Sequence, residues 1–206
     1  MRGQPFPPAG PEATNRALAK AGRARGVVLV EGFSDQIAIE TLAVRRGRDL
    51  AAEGVVVVPI GGAQAVARFA RQFGPRGSNL RLAGLCDLGE EEVYRRSLER
   101  AGVGSGLTRP SMERLGFYVC IEDLEAELIR ALGADAVEAV LGAHGDLGSF
   151  RTFQKQPAWR DRPVEAQLRR FMGSADRRKI RYARLLVEAL DLSRVPHPLD
   201  GVLAHV

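Results

Sequence analysis

The sequence has few cysteines and no long apolar segment, and both shortages exclude classes of protein. Cys86 and Cys120 are the two cysteines among 206 residues, and each lies in an apolar segment. Their number and spacing fit neither a zinc cluster nor a disulfide framework, so we expect both thiols to be reduced and buried. No apolar run approaches the ~20 residues that span a bilayer, and residues 1–8 lack the apolar centre of a signal peptide. We therefore expect a cytoplasmic protein without a membrane segment.

Lysine is also scarce, with three residues against 27 arginines. A nucleotide-binding loop of the form Gly-x4-Gly-Lys-Ser/Thr needs a lysine directly after a glycine, because backbone amides and the lysine hold the phosphates together. Lys20, Lys155 and Lys179 each follow another residue type. The sequence therefore predicts no ATP-hydrolysing motor of its own, so that any such motor belongs to a separate subunit.

Positive charge is concentrated in one part of the chain. The net charge is +5, but residues 151–184 contain eleven Lys and Arg against three acids, which gives that segment +8. The remainder is therefore net acidic. A metal-dependent enzyme that acts on a polyanion needs both features, because carboxylates hold cations while Arg and Lys hold phosphates. A solvated helix surface in an arginine-rich protein is the alternative explanation.

Apolar runs typical of buried strands alternate with helical patterns as far as Leu132. The predicted strands are Val27–Val30, Gly54–Ile60, Arg81–Cys86 and Gly116–Ile121. The predicted helices are Ala13–Arg23, Asp35–Arg46 with Ser34 or Asp35 as its cap, Ala63–Phe73 after a tight Gly61-Gly62 turn, Glu90–Ala101 and Leu124–Leu132. This alternation predicts an α/β fold with a parallel sheet of about four strands and right-handed crossovers.

Strand patterns fade after Gly133. Helical patterns remain at Ala134–Leu141, Val164–Phe171 and Lys179–Leu190, followed by a proline-marked tail at 195–198. The predicted organisation is an N-terminal arm and short helix at residues 1–25, an α/β domain at residues 26–132, and a helical, basic C-terminal lobe at residues 133–206.

Acidic side chains follow two of the predicted strands. Glu31 and Asp35 come after the first strand, and Asp87 and Glu90 come after the third. The carboxyl ends of parallel strands meet at one edge of a sheet, where α/β proteins hold their ligands. Carboxylates in a common crevice indicate a divalent metal site, since Mg²⁺ prefers oxygen ligands. The alternative is that these acids only stabilise the first turns of helices.

The segment Glu31-Gly-Phe-Ser-Asp35, the Gly61-Gly62 turn and the strand-terminal Asp87 resemble the Toprim domain of topoisomerases, primases and overcoming-lysogenization-defect (OLD) nucleases. The OLD version is the most similar, because its glutamate is also followed by Gly-x-Ser-Asp and a helix. Its later Asp-Leu-Glu segment and C-terminal lysine resemble Asp123-Leu-Glu125 and Lys179 here. The resemblance covers roughly residues 26–130 and, more loosely, 150–206.

The resemblance implies a Toprim (Rossmann-like) parallel sheet flanked by helices, with a helical C-terminal extension. It also implies a Mg²⁺- or Mn²⁺-dependent endonuclease, a nuclease or nickase that hydrolyses DNA phosphodiester bonds with two ions. The implied metal ligands are Glu31, Asp35, Asp87, Glu90, Asp123 and Glu125, with Asp87 as a primary or bridging ligand.

The resemblance and the charge pattern also assign residues to catalysis and DNA binding. Glu31 is a metal ligand or a general base. Lys179 is the expected catalytic lysine, because a compact cation suits the charge that develops on the phosphate, and Lys155 is its competitor. The expected DNA-binding residues are Lys155, Arg177, Arg178 and Arg181.

The chain departs from the Toprim pattern at the third strand. Toprim domains usually carry Asp-x-Asp there, whereas this sequence has Asp87-Leu-Gly-Glu90, so Glu90 or Glu91 must supply the second carboxylate. This departure argues against a topoisomerase or primase. The alternatives to a nuclease are a nucleotidyl transferase and a Toprim module without turnover that serves as a nucleic-acid-binding or scaffold subunit. Besides DNA, the expected partners are a separate ATPase or other subunit and a second copy of the chain in a homodimer.

Overall fold

The computed structural model describes residues 11–206, with side chains from residue 14 onward. Its centre is a parallel sheet of four strands, which lie in the order β2-β1-β3-β4. The strands are β1 (Gly26–Val30), β2 (Val55–Pro59), β3 (Arg81–Asp87) and β4 (Phe117–Cys120). Every residue of β1 is buried, as expected for a β-branched run between two helical layers. The predicted α/β fold is confirmed.

Eleven α-helices accompany the sheet within the described residues. They are α1 (Pro11–Ala21), α2 (Phe33–Arg45), α3 (Val66–Phe73), α4 (Glu91–Ala101), α5 (Arg109–Arg114), α6 (Leu124–Leu132), α7 (Ala134–Ala143), α8 (Leu147–Gln154), α9 (Val164–Met172), α10 (Asp176–Ala189) and α11 (His197–His205). Short 3₁₀ turns at Ala63–Ala65 and Leu88–Glu90 precede α3 and α4. None of these helices has both the length and the apolar character needed to cross a bilayer.

Two apolar cores lie on opposite faces of the sheet. Val28 of β1 belongs to one core and Leu29 to the other, because successive side chains of a strand point to opposite faces. Side chains of α1, α3, α4 and α5 fill the core around Leu29. Those of α2 and of α6 to α11 fill the core around Val28. Cys86 and Cys120 are free and buried, as predicted.

The helices after Gly133 share their core with the sheet. Leu141 of α7, Leu168 of α9 and Tyr182 of α10 are fully buried in the same cluster as Val28. This continuous packing fixes α10 against α2, and Lys179 in the first turns of α10 is close enough to the strand-terminal Asp87 to interact with its charge. The domain boundary expected at residue 132 stays a prediction.

The start of α2 differs from the prediction. The helix begins at Phe33 and its N-cap is Gly32, so neither Ser34 nor Asp35 is the cap. Asp35 is the third residue of the helix, and its carboxylate accepts the Gly32 N–H at 2.9 Å. A side chain at this position satisfies one of the free backbone donors of the first turn, which is why an acid is favourable there.

Three helices were not expected from the sequence pattern: α5, α8 and α11. The helix α11 replaces the predicted proline-marked tail. Pro198 lies in its first turn, where a proline removes no helical hydrogen bond. Leu199, Val202 and Leu203 are buried and attach α11 to the sheet. Proline here marks the beginning of a helix and not the end of the folded chain.

Candidate active site

Glu31 joins the carboxyl ends of three strands. The backbones of β1 and β3 are paired, so the residues that follow them are neighbours. The Glu31 carboxylate accepts the N–H of Asp87, the last residue of β3, at 3.2 Å. The Glu31 carbonyl accepts the N–H groups of Gly61 and Gly62, which follow β2, at 3.1 Å each. The acids predicted at two strand ends therefore meet.

The Gly61-Gly62 turn has the backbone conformation that glycine permits. The φ angles are 79° at Gly61 and 105° at Gly62, both in the left-handed region, where a β-carbon is unfavourable. Both amides can therefore turn towards the Glu31 carbonyl. The two glycines fix the backbone of Glu31 and do not themselves contribute a chemical group.

Asp123 and Glu125 approach the same place from the start of α6. Asp123 is the N-cap, and one of its oxygens accepts the Ala126 N–H at 2.8 Å. Its other oxygen accepts the Nε–H of Arg169 at 2.6 Å. Glu125 is buried in the first turn of the helix, and one of its oxygens, Oε1, has no hydrogen-bond partner among the described residues.

Lys179 brings a positive charge from α10 into this group of acids. Its Nζ lies 3.5 Å from Oε2 of Glu125. Burial lowers the pKa of the Lys179 ammonium, but the carboxylates of Glu125, Asp35, Asp87 and Asp123 together raise it by more, so that the pKa lies above its ordinary value. Lys179 is therefore charged, and it is the lysine that the fold places at the carboxylates.

The acids of the site raise one another's pKa. Burial, followed by the charges of Asp35, Glu31 and Asp123, raises the pKa of Asp87 to about 8. Burial and the neighbouring acids Asp123 and Asp35 raise the pKa of Glu125 to about 7 against the opposing charge of Lys179. The pKa of Glu31 and that of Asp35 are also raised, mainly by burial. The carboxylates therefore repel one another when all are ionised.

Glu90 and Glu91 lie in different surroundings. Glu91 forms a two-point ion pair with Arg109 of α5, in which the Arg109 Nε–H donates to Oε1 at 2.9 Å and an Nη–H donates to Oε2. Glu90 instead faces Glu31 closely enough that its charge helps to raise the Glu31 pKa. The structure thus favours Glu90 over Glu91 as the second acid after β3.

The donor set fits a hard divalent cation, although it does not form a closed cage. Among residues 11–206, no three His, Cys, Asp or Glu side chains are arranged as a ready-made metal site. The carboxylates are held instead by backbone N–H groups, Arg169 and Lys179. All candidate donors are oxygens, and Glu125 Oε1 is buried with no hydrogen-bond partner in the part of the chain that the structure describes. Mg²⁺ and Mn²⁺ suit such sites, because Mg²⁺ in particular keeps several waters and needs few protein ligands.

The predicted DNA-binding residues fall into two groups. Lys155 and Arg177 are exposed, Lys155 just after α8 and Arg177 in the first turn of α10. Arg178 donates to the Phe171 carbonyl and the Ser174 hydroxyl. Arg181 donates to Asp146 and to the His144 carbonyl. Lys155 and Arg177 are thus the more available for phosphates, and Arg178 and Arg181 also hold helices together.

Arg169 is a member of the site that the sequence pattern did not indicate. It lies in the last turn of α9, 46 residues from the Asp123 that it contacts. In the sequence it is one of 27 arginines without a distinguishing motif. Only the packing of α9 against α6 brings the two side chains together.

The comparisons with known proteins agree with this architecture. Residues 24–88 match the family described as overcoming lysogenization defect protein-like, TOPRIM domain. The C-terminal region of the Xanthomonas campestris pv. campestris OLD protein is similar in structure, with a TM-score of 0.65 and 23% sequence identity over 91% of this chain and 94% of that one. The C-terminal region of the Burkholderia pseudomallei OLD protein has a TM-score of 0.66 and 21% identity over 88% and 96% of the two chains. No curated protein sequence matches. Residues 24–88 are therefore similar to an OLD-like Toprim domain, and the chain shares the fold of the C-terminal region of OLD proteins.

Proposed function

We propose that the protein is a Mg²⁺- or Mn²⁺-dependent endonuclease, a nuclease or nickase that hydrolyses DNA phosphodiester bonds. The OLD-like Toprim match supports a metal-dependent function of the nuclease type. The observation that carries the proposal is the meeting of Lys179 with strand-end acids that raise one another's pKa. Such a group needs cations to be fully ionised, and it suits a phosphate substrate once cations are bound.

Two sets of carboxylates are proposed to hold the cations. Asp87 is the primary ligand, with Glu31, Asp35 and Glu90 beside it, and Asp123 and Glu125 serve a second ion. Burial and the neighbouring acids raise the pKa of Asp87 to about 8 and that of Glu125 to about 7. When bound, the ions supply a polarised phosphate and a more acidic water molecule.

The chain's own groups then have separate tasks in the hydrolysis. Glu31 uses Oε1 to accept the Asp87 N–H, which leaves Oε2 to take a proton from the attacking water. As water adds to phosphorus, the bond to the 3′ oxygen breaks, and the leaving 3′ oxygen takes a proton from solvent water, so that the products are a 5′-phosphate and a 3′-hydroxyl. The Lys179 ammonium stabilises the negative charge that develops on the phosphate.

Cleavage of supercoiled plasmid tests the proposal. The wild-type protein is incubated with Mg²⁺, Mn²⁺, Ca²⁺ or EDTA, beside Asp87→Asn and a matched control, Glu92→Gln. Glu92 is an exposed acid five residues from Asp87 that pairs with Arg95 and Arg96. We expect nicked or linear plasmid with Mg²⁺ or Mn²⁺ from the wild type and Glu92→Gln, and none from Asp87→Asn. Cleavage by Asp87→Asn at the wild-type rate contradicts the site assignment.

A binding or scaffold module without turnover is the second candidate function. The observation in its favour is that Arg169 already neutralises Asp123, and Lys179 already neutralises Glu125. A module of this kind binds DNA but does not cleave it, whichever metal ion is added. Intact plasmid under every condition, together with retarded migration of the plasmid, supports this candidate over the nuclease.

A further inference from the structure

We propose that Arg169 is an additional phosphate-binding residue of the site, which holds Asp123 with one part of its guanidinium and a DNA phosphate with another. The inference rests on the proposed function for its substrate, DNA. It concerns a residue outside the acids and the lysine described above.

The N–H donors of Arg169 are divided between two acids and free space. Nε–H donates to Asp123 at 2.6 Å, and one Nη lies 3.4 Å from the Glu122 carboxylate. The second Nη makes no hydrogen bond to the described residues. A guanidinium has five N–H donors in a rigid plane, so it can bind a carboxylate and a phosphate at the same time, which an ammonium cannot do in a fixed geometry.

Arg169 is more exposed than the Asp123 that it contacts. The Asp123 side chain is 18% exposed, whereas that of Arg169 is 41% exposed. Arg169 therefore connects a half-buried candidate ligand to the solvent side of the site. It also lines a surface groove of about 370 Å³ between α6 and α9, together with Glu122, Ala126 and Pro163. A phosphate that reaches the acids from this groove meets Arg169.

The candidate site has more acidic than basic side chains. The site contains six candidate acids, which repel a phosphate, and Lys179 is paired with the buried Glu125. A second fixed cation at the rim lowers this repulsion for the DNA strand on the α9 side. Glu122, which pairs with Arg169 as Asp123 does, has a φ angle of 72°. This left-handed conformation is uncommon for a residue other than glycine, and such strain is found most often at functional sites.

The test is the salt dependence of DNA binding, measured in EDTA by fluorescence anisotropy with a labelled DNA duplex. Arg169→Gln is compared with Arg130→Gln. Arg130 is also on the groove, is 51% exposed and pairs with the carboxylate of Glu127, but it does not contact the candidate site. We expect Arg169→Gln to weaken binding roughly tenfold and to reduce the slope of log affinity against log salt by about 1. Arg130→Gln changes affinity less than twofold.

Asp123→Asn separates phosphate binding from a purely structural ion pair. Asparagine is also a good N-cap, so the start of α6 is retained. If Arg169 binds a phosphate, Asp123→Asn keeps the wild-type slope and binds DNA equally or more tightly. If the pair only joins α6 to α9, Asp123→Asn and Arg169→Gln change binding alike, which overturns the inference. Arg169→Lys, which keeps the charge, provides a further variant should Arg169→Gln fail to fold, and it is expected to keep the slope.

These results are independent of turnover. DNA binding that depends on Arg169 without plasmid cleavage contradicts the nuclease proposal and supports the Arg169 inference. If the wild type cleaves plasmid but Arg169→Gln leaves the slope of log affinity against log salt unchanged, the nuclease proposal is supported and the Arg169 inference is overturned. A wild-type protein that binds no DNA overturns it as well.

Discussion

At Asp87, both burial and the neighbouring acids oppose ionisation of the carboxyl group. It ends a buried strand, and its carboxyl lies among Asp35, Glu31 and Asp123, so its pKa is raised to about 8. The backbone position of Asp87 is set by strand pairing and by the hydrogen bond from its N–H to Glu31, which keeps the residue at this edge of the sheet. An unfavourable acid at a fixed position is typical of a site that binds a cation.

The raised pKa of Asp87 predicts how stability depends on pH when no metal is bound. Between the ordinary value of 3.8 and about 8, the folded protein keeps a proton that the unfolded chain releases. The retained proton therefore stabilises the folded protein relative to the unfolded chain. This stabilisation is fully present below pH 3.8 and is lost as the pH rises towards 8. We expect the free energy of unfolding, measured with urea in EDTA, to fall over this interval, with a slope of up to ~1.4 kcal/mol per pH unit for each such proton.

Asp87→Asn is the control for this dependence. Asparagine does not titrate, so the slope of the unfolding free energy with pH should be smaller in the variant, with the remainder due to Glu125 and the other buried acids. A wild-type stability that rises with pH over the same interval contradicts the proposed environment of Asp87.

Sequence patterns identified the residues of the site that follow strands, and they failed for those that depend on helix packing. Glu31 and Asp87 were predictable because parallel strands end at one edge of a sheet. Asp123 and Lys179 were indicated by the resemblance to OLD proteins, not by local pattern. Arg169 had no signal, since its role depends on the angle at which α9 meets α6. The choice between Glu90 and Glu91 likewise required the position of Arg109.

Helix α11 shows that a C-terminal segment of the chain is part of the central fold. Its residues pack on β3, β4 and α2, on the same face of the sheet as α10. The sequence pattern failed here because the prolines at 196 and 198 are typical of an irregular tail. A proline in the first turn is compatible with a helix, and the apolar spacing of Leu199, Val202 and Leu203 identifies its buried side.

The substitution Leu199→Ala tests the packing of α11. Leu199 is fully buried, so we expect a loss of about 2–4 kcal/mol in the free energy of unfolding, measured by urea denaturation. Leu192→Ala is the matched control, because Leu192 lies just before α11 and is 36% exposed. The control should cost less than about 1 kcal/mol. Equal losses in the two variants contradict the described position of α11.

Across the whole protein, the acidic site and the basic segment have complementary charges. Net charge and charge distribution were readable from the sequence, but the use of individual arginines was not. Arg178 and Arg181 form hydrogen bonds within the protein, whereas Lys155 and Arg177 are exposed. The predicted homodimer and the predicted ATPase partner stay predictions, because neither depends on a contact within one chain.

The exposed residues Lys155 and Arg177 lead to a prediction for the salt dependence of DNA affinity. Lys155→Gln combined with Arg177→Gln should reduce the slope of log affinity against log salt by about 2 with little change in stability. Arg95→Gln with Arg96→Gln on α4 removes the same charge elsewhere and serves as the control. Anisotropy titrations over a range of salt concentrations give both slopes. An equal reduction from the control pair shows that the basic segment does not form the DNA-binding surface.

Titration of Mn²⁺ into the protein by calorimetry tests most directly whether the strand-end acids hold a divalent cation. Wild type, Asp87→Asn and Glu91→Gln are compared at the same pH. We expect the wild type and Glu91→Gln to bind Mn²⁺ alike, because Glu91 is engaged by Arg109, and Asp87→Asn to bind at least about tenfold more weakly. Equal affinity in Asp87→Asn, or no binding by the wild type, contradicts a metal site at this edge of the sheet.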